Sequence, residues 1–352
     1  MSISDKSISQ KIKSIIGYTL PVLLTIIFLF LAFKDIEFDE FMKHFTNVSW
    51  GYLLIFIALF FLSHIVRAYR WKTIISSVKS DVSILSLFGS TMIGYGVNLA
   101  VPRLGEIYRP SFLGQWEGIS RTAMFGTIIV ERVIDVIFLL VSILITVAIY
   151  PYDLMTEIPL VKLALTIGSI SILGIVITLI FVVKMKEKFY SYITRIVGKV
   201  SVRFAEKLEY VFKMLIEGFS TIRSGKVLLL TIFYSAVIMF LYGFNCYVGL
   251  YMLNMDLLHD VSLTIGWTVM TISALGIVAP TPGGTGSYHY LSRLSLGLFG
   301  FSENVAVAYA VLTHIISSVL FIISTVFFVN FVNRRKEKSK RVNFFSVLKQ
   351  SK

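Results

Sequence analysis

Cysteine and charge are what this chain has least of. A single cysteine, Cys246, sits inside an apolar run, which excludes disulfides within the chain and cysteine-based metal sites. Only 15% of the 352 residues are Asp, Glu, Lys or Arg, against 56% hydrophobic, and the mean hydropathy is +0.81. A soluble globular domain cannot carry that balance. Long polar segments are equally rare, and the glycine-rich run at residues 279–290 is followed by no Walker lysine, so nucleotide chemistry of the P-loop kind is not expected. No DxD-type carboxylate pair and no metal-ligand spacing occur, with His259 and His289 standing apart from other ligands, so neither metal nor cofactor is predicted.

What the chain does have is apolar stretches, about eight of them near the roughly 20 residues that cross a bilayer. The first lies near residues 15–33, behind Lys6, Lys11 and Lys13, and is followed by Lys34, Asp35 and Glu37 rather than a small-residue cleavage site; it reads as a retained helix and not a signal peptide. The net charge of +13 points to anionic lipid and to cytoplasmic loops rather than nucleic acid. Positive-inside logic puts both termini in the cytoplasm, Asp35, Glu37, Asp39 and Glu40 outside, and a basic cluster of Arg67, Arg70, Lys72 and Lys79 inside, with Trp71 at the interface. Residues 184–226 hold ten lysines and arginines among apolar residues at helical spacing, the pattern of a cytoplasmic amphipathic linker lying on the membrane.

Two stretches resist a simple count of spans. Residues 94–109, GYGVNLAVPRLGEIYR, begin apolar, break at Pro102 and end in Arg103, Glu106 and Arg109; residues 279–290, APTPGGTGSYHY, break at Pro282. The loop charges agree with the positive-inside rule only if the first stretch enters and leaves on the cytoplasmic side and the second on the outside. Spacings match as well. Gly96 precedes Pro102 as Gly276 precedes Pro282, a Gly-x-Ser follows each break at Gly118 and Gly300, and Arg132 follows Ser120 as His314 follows Ser302. The expectation is an all-α integral membrane protein, one membrane domain over residues 1–352, with about six full transmembrane helices and two re-entrant broken-helix segments in an inverted repeat. Repeat one is residues 84–150 and repeat two residues 262–332.

The chemistry follows from depth. Arg132 lies about 15 Å into its helix, where an isolated charge is costly, and Asp135 at i+3 and Glu131 on the same helix can meet it. A structural ion pair is one account of these residues. The other is a guanidinium set, Arg103, Arg109 and Arg132, offered to a phosphate that the planar fork of Arg suits better than Lys does, with Glu106 and Glu131 steadying the arginines. Gly283, Gly284 and Gly286 around Thr285 would let backbone amides approach an anion, with His314 completing the cavity or serving as a packed structural residue.

NLAVPRLGEIYRPSFL followed by VERVIDV, and later APTPGGTGSYHY, resemble the paired signatures of the lysylphosphatidylglycerol synthase transmembrane region, a flippase-like membrane family. The resemblance covers nearly the whole chain. It implies lipid translocation or binding, and by motif it carries over Asn98, Pro102, Arg103, Gly105, Glu106, Arg109, Glu131, Arg132, Asp135, Pro282, Gly283, Gly284 and Gly286. Synthase members of the family have a further aminoacyl-transferase domain, for which the chain has no room after its last helix, so lysyl transfer is not implied, and with no metal or nucleotide motif the reading leans against an enzyme without deciding it. The reading is a flippase of the cell (inner) membrane that takes an anionic, phosphate-bearing lipid headgroup, phospholipid or polyprenyl phosphate, in a midplane cavity. Energy would come from an ion gradient, from the lipid itself or from a partner, with Glu106, Glu131 or Asp135 as proton carriers. Two alternatives stay open: a membrane-embedded transferase on polyprenyl phosphate or phospholipid, and a non-transporting envelope scaffold. The small-residue stretch at residues 94–96 is compatible with a homo-oligomer contact.

Overall fold

The computed structural model describes residues 19–76, 78–171, 173–174, 202, 224–276 and 279–336. The basic N-terminal tail, almost all of the expected amphipathic linker at 184–226 and the C-terminal residues from 337 lie outside the described residues. Every regular element among those described is helical, as a bilayer requires of a backbone that must satisfy its own hydrogen bonds.

In chain order the helices are α1 (Thr19–Phe33), α2 (Phe38–Thr46), α3 (Trp50–Ile75), α4 (Ile84–Ala100), α5 (Gly105–Glu117), α6 (Arg121–Ile149), the single turn α7 (Leu154–Glu157), α8 (Pro159–Ser171), α9 (Gly225–Met252), α10 (Leu263–Gly276), α11 (Ser287–Gly297) and α12 (Glu303–Arg335). Helices α3, α9 and α12, and residues 123–149 of α6, are long and apolar enough to cross a membrane, and α1 with α2, bent by 93°, counts as a fifth if taken as one span. The breaks anticipated at the two prolines are present. Helix α4 stops at Ala100 and α5 starts at Gly105, and α10 stops at Gly276 with a short 3-10 turn at Pro282–Gly284 before α11. A long helix, two short ones and a long one thus occur twice, with 26, 17, 13 and 29 residues in α3–α6 and 28, 14, 11 and 33 in α9–α12. Both final helices follow a glycine with positive φ, Gly118 (67°) and Gly300 (81°), and in α6 the intervening Ser120 accepts the Ala123 N–H as N-cap.

The chain divides into two compact units. The first comprises Met1–Phe60, Tyr95–Gly105 and Tyr242–Ile323. Its core is aliphatic and small-residue, with Val248, Leu250, Val269 and the run Ala306, Val307, Ala308 and Tyr309 buried together. Helices α9 and α10 meet at glycines: a Cβ on Gly266 would fall 2.7 Å from the Tyr247 backbone nitrogen, and one on Gly243 would fall 3.0 Å from the Trp267 ring. Close approach of this kind is how membrane helices gain packing energy where apolar surface alone gives none. Arg293 of α11 clamps the end of α1, donating to the Leu31 and Ala32 carbonyls at 2.8 and 3.0 Å and pairing with Asp35 at 3.1 Å and Glu303 at 2.5 Å.

The second unit comprises Phe61–Gly94, Glu106–Leu241 and Ser324–Lys352. Ala68, Trp71, Ile75, Leu87, Leu113, Met124 and Ile128 form its apolar cluster. Gly89 admits the Phe328 ring, whose Cδ1 would lie 3.1 Å from an added Cβ. At the end of α5, Trp116 donates to Asn333 at 2.9 Å and Glu117 pairs with Lys336 at 2.8 Å and Lys79 at 3.7 Å.

Candidate functional site

Within the second unit the charged residues of three helices converge. The α3 sequence Arg67-Ala-Tyr-Arg70-Trp71 places its two arginines and the tryptophan at i, i+3 and i+4, one face of a helix. Glu131 and Asp135 share a face of α6 by the same spacing, and Arg109 comes from the second turn of α5. Glu131 is the hub. Fully buried, it receives Arg67 at 2.8 Å, Arg70 at 3.0 Å and Arg109 at 3.0 Å, with the other Arg109 nitrogen 2.9 Å from its second oxygen. Asp135 takes Arg67 at 3.0 Å and Arg70 at 2.7 Å. Arg132, whose side chain is 39% exposed, stands at the margin, 3.8 Å from Glu131 and 3.5 Å from Asp135.

Neighbouring polar and aromatic groups hold these guanidiniums in place. Arg109 lies over the Trp71 ring at 3.9 Å, and the Trp71 indole N–H donates to Thr127 at 3.0 Å. Arg70 also donates to Ser235 of α9 at 3.0 Å. A buried charge network of this kind survives only when its members are paired and hydrogen-bonded, since removing one partner leaves an uncompensated ion. Taken by themselves, the six side chains comprise four arginines and two carboxylates, a formal sum of +2. Chemically the set is a preorganised array of forked donors, the geometry that matches phosphate oxygens.

Of the residues expected from sequence, Arg109, Glu131, Arg132 and Asp135 are brought together here. Glu106 is in the same unit, half-buried in the first turn of α5, but it makes no hydrogen bond or ion pair among the described residues; the carboxylate that shares the arginines with Glu131 is Asp135. Two members were missed. Arg67 and Arg70 were read as a cytoplasmic loop cluster and Trp71 as an interfacial residue, whereas α3 continues to Ile75 and all three are buried, at 4%, 0% and 0% exposure. The signal available was the arginine pair at i, i+3 within an unbroken helical pattern.

The remaining candidates belong to the first unit. Asn98 accepts the Gly105 N–H at 2.7 Å and so ties α4 to the start of α5 across the first break. Arg103, exposed at the tip of that break, has φ +63°. Leu99 touches the second break: a Cβ on Gly283 would lie 2.6 Å from Leu99 Cδ2. Gly286, φ +85°, is pressed against α1, where a Cβ would lie 2.8 Å from the Thr25 carbonyl oxygen. These two glycines therefore have a packing reason for being glycine. Gly284 (φ +77°) donates to the Thr281 carbonyl at 3.1 Å and Thr285 to that of Pro282 at 2.9 Å, closing the turn. His314 Nε2 lies 3.0 Å from the Gly283 carbonyl oxygen. His289, 25 residues from it in the chain, accepts the Gly286 N–H on Nδ1 at 3.0 Å, and the two imidazoles are 4.8 Å apart. Among the described residues no group of three or more His, Cys, Asp or Glu is arranged to hold a metal ion.

Comparison with known proteins agrees with the architecture. The family model described as the lysylphosphatidylglycerol synthase TM region matches residues 18–324. A UPF0104 membrane protein of Methanocaldococcus jannaschii is 23% identical over 315 residues, which cover 86% of this chain and 91% of that protein.

Proposed function

The chain belongs to the family of the lysylphosphatidylglycerol synthase transmembrane region, and on that premise we propose that it is a lipid translocator that takes a phosphate-bearing lipid headgroup at the arginine cluster of α3, α5 and α6. The observation that carries this reading is the convergence of Arg67, Arg70, Arg109 and Arg132 on Glu131 and Asp135 within apolar helices. Glu131 and Asp135 orient the guanidiniums, and Arg132, the most exposed of the four, meets the headgroup first. An anionic phosphate brings the +2 of the six side chains toward neutrality, so binding and helix packing favour each other. The same logic favours phosphatidylglycerol or a polyprenyl phosphate over a zwitterionic lipid. We place the protein in the cell (inner) membrane with both termini cytoplasmic, the α4–α5 segment re-entrant from inside and α10–α11 from outside, as two inverted repeats.

Purified protein in liposomes with labelled phosphatidylglycerol, aminoacylated phosphatidylglycerol or undecaprenyl phosphate tests the assignment. Arg132→Gln is expected to lower lipid movement by about 10- to 150-fold, the loss of one charge-assisted hydrogen bond of roughly 1.5–3 kcal/mol, without unfolding the protein. Full movement and binding by a folded Arg132→Gln protein would sink the headgroup site and leave the cluster a scaffold for the helices. Topology has a separate check in a Cys246→Ala background: cysteines at Ser80 and Ser120 should react from the cytoplasm, and cysteines at Leu257 and Ser302 from outside.

A further inference from the structure

The glycine turn of the second break is held at both ends by imidazoles, and those bonds fix which nitrogen of each ring carries the proton. A carbonyl oxygen only accepts, so the His314 nitrogen facing Gly283, Nε2 at 3.0 Å, carries hydrogen. A backbone N–H only donates, so His289 Nδ1, 3.0 Å from the Gly286 nitrogen, is bare and its proton sits on Nε2. His289 is therefore neutral, whereas the His314 bond is kept whether or not its Nδ1 carries a proton. Each has one nitrogen engaged with the backbone, and His314 presents Nδ1 as a base.

Among the described residues the surroundings supply no carboxylate to either ring. On α11 the nearest titratable neighbour is Tyr288, its ring 5.7 Å from His314 and its hydroxyl 3.0 Å from that of Thr313. Tyr309 of α12 donates to the Cys246 carbonyl of α9 at 3.0 Å; α9 carries Cys246 with Tyr242, Tyr247 and Tyr251 in the same half of the helix, and no carboxylate. The described sequences of α10 and α1 carry no titratable side chain. The first break contributes Leu99, against Gly283, and the exposed Arg103. Among the described residues neither imidazole has an ion-pair partner.

We propose that the His289–His314 pair is a proton-binding site whose occupation releases the Gly283–Gly286 turn from Leu99 and α1, linking lipid movement to protons. The inference rests on the translocator reading for its link to lipid, though not for the site itself. A proton from water enters at His314 Nδ1, on the less buried ring, where it leaves the bond to the Gly283 carbonyl intact. Transferred to His289, it turns Nδ1 into a donor facing the Gly286 donor, and that bond must open. Two rings 4.8 Å apart disfavour a second positive charge, so the pair takes one proton. With one proton per cycle, the rate rises as pH falls, by at most about tenfold per pH unit.

Two substitutions isolate the proton from the hydrogen bond. His289→Asn places an amide oxygen where Nδ1 was, and His314→Gln places an amide N–H where Nε2–H was; neither titrates. In liposomes, wild-type movement of labelled phosphatidylglycerol is expected to accelerate as pH is lowered from about 8 to about 4, and the profile to flatten in both variants. Full-length protein in nanodiscs with 15N-labelled histidine gives a readout independent of lipid movement. Near neutral pH both rings should show the Nε2–H tautomer, and on acidification the Gly286 amide should lose its protection from exchange. Lipid movement that is equally fast at both pH values, or a Gly286 amide that stays protected while the rings titrate, overturns the proposal. If no lipid moves at any pH while the Gly286 amide opens with protonation of His289, the translocator reading fails and the proton site stands.

Discussion

The arginine cluster and the glycine turn arise from the same order of helices, and they solve opposite problems. In the second unit, charge is brought into an apolar helix set and held by charge: Glu131 at zero exposure meets three guanidiniums. In the first unit the backbone groups of the corresponding break meet imidazoles, His289 accepting from the Gly286 N–H and His314 bonded to the Gly283 carbonyl. A break in a membrane helix therefore does not by itself specify an ion site. It frees backbone groups, which Asn98 meets at the first break and the two imidazoles meet at the second.

The comparison can be broken most severely at its charged end. Glu131→Gln should cost about 3–5 kcal/mol, the usual consequence of removing one partner from a buried ion network, read as a lowered unfolding temperature in detergent; a triple variant in which Arg67, Arg70 and Glu131 all become apolar still leaves buried Arg109 without its carboxylate, and should stay destabilised and fail to bind lipid. If the triple variant binds lipid normally, the cluster is only packing. At the neutral end, Gly283→Ala should cost about 1–3 kcal/mol, because the new methyl meets Leu99 Cδ2 at 2.6 Å with φ at +58°. Leu99→Ala in the same chain should recover part of it, the strain from φ remaining. A full recovery would mean that the backbone there has no left-handed requirement.

The smallest effect expected is in a third place, where charge is paired outside the spans. Burial would push the Glu117 carboxyl up, but hydrogen bonds from Lys336 and Ser86 and the charges of Lys336 and Lys79 outweigh it and hold the group below its ordinary value of 4.5. A depressed carboxylate contributes stability that is present above 4.5 and lost as pH falls through the lowered value. Thermal unfolding should therefore show an acid limb below about pH 4.5 that Glu117→Gln makes shallower. An unchanged limb would place the acid sensitivity elsewhere.

The fold was readable from sequence to the extent that local rules govern it. Pro102 and Pro282 ended helices, Gly118 and Gly300 turned the chain before the long helices, and VERVIDV announced charge inside α6. What escaped were facts that depend on partners distant in sequence. Arg67 and Arg70 follow the positive-inside pattern so well that nothing local separates them from Lys72, and only the presence of Glu131 on another helix draws them in. His289 lacks a ligand neighbour in sequence, since its companion is on α12. Glycines at 283 and 286 were legible as necessary but not as to why: a bare Cα serves an approaching anion and an approaching helix equally well, and here Leu99 and α1 occupy the space.

Arg293 has an implication for how the protein is made. Its partners at the end of α1 precede it by 262 residues at Leu31 and 261 at Ala32. At roughly 5–20 residues per second of synthesis, the first helix is in the membrane for about 13–50 s before the residue that fastens it leaves the ribosome. During that interval α1 must be tolerated as a lone lipid-facing helix or sheltered by the insertion machinery, and its final seat is among the last parts of the protein to be assembled.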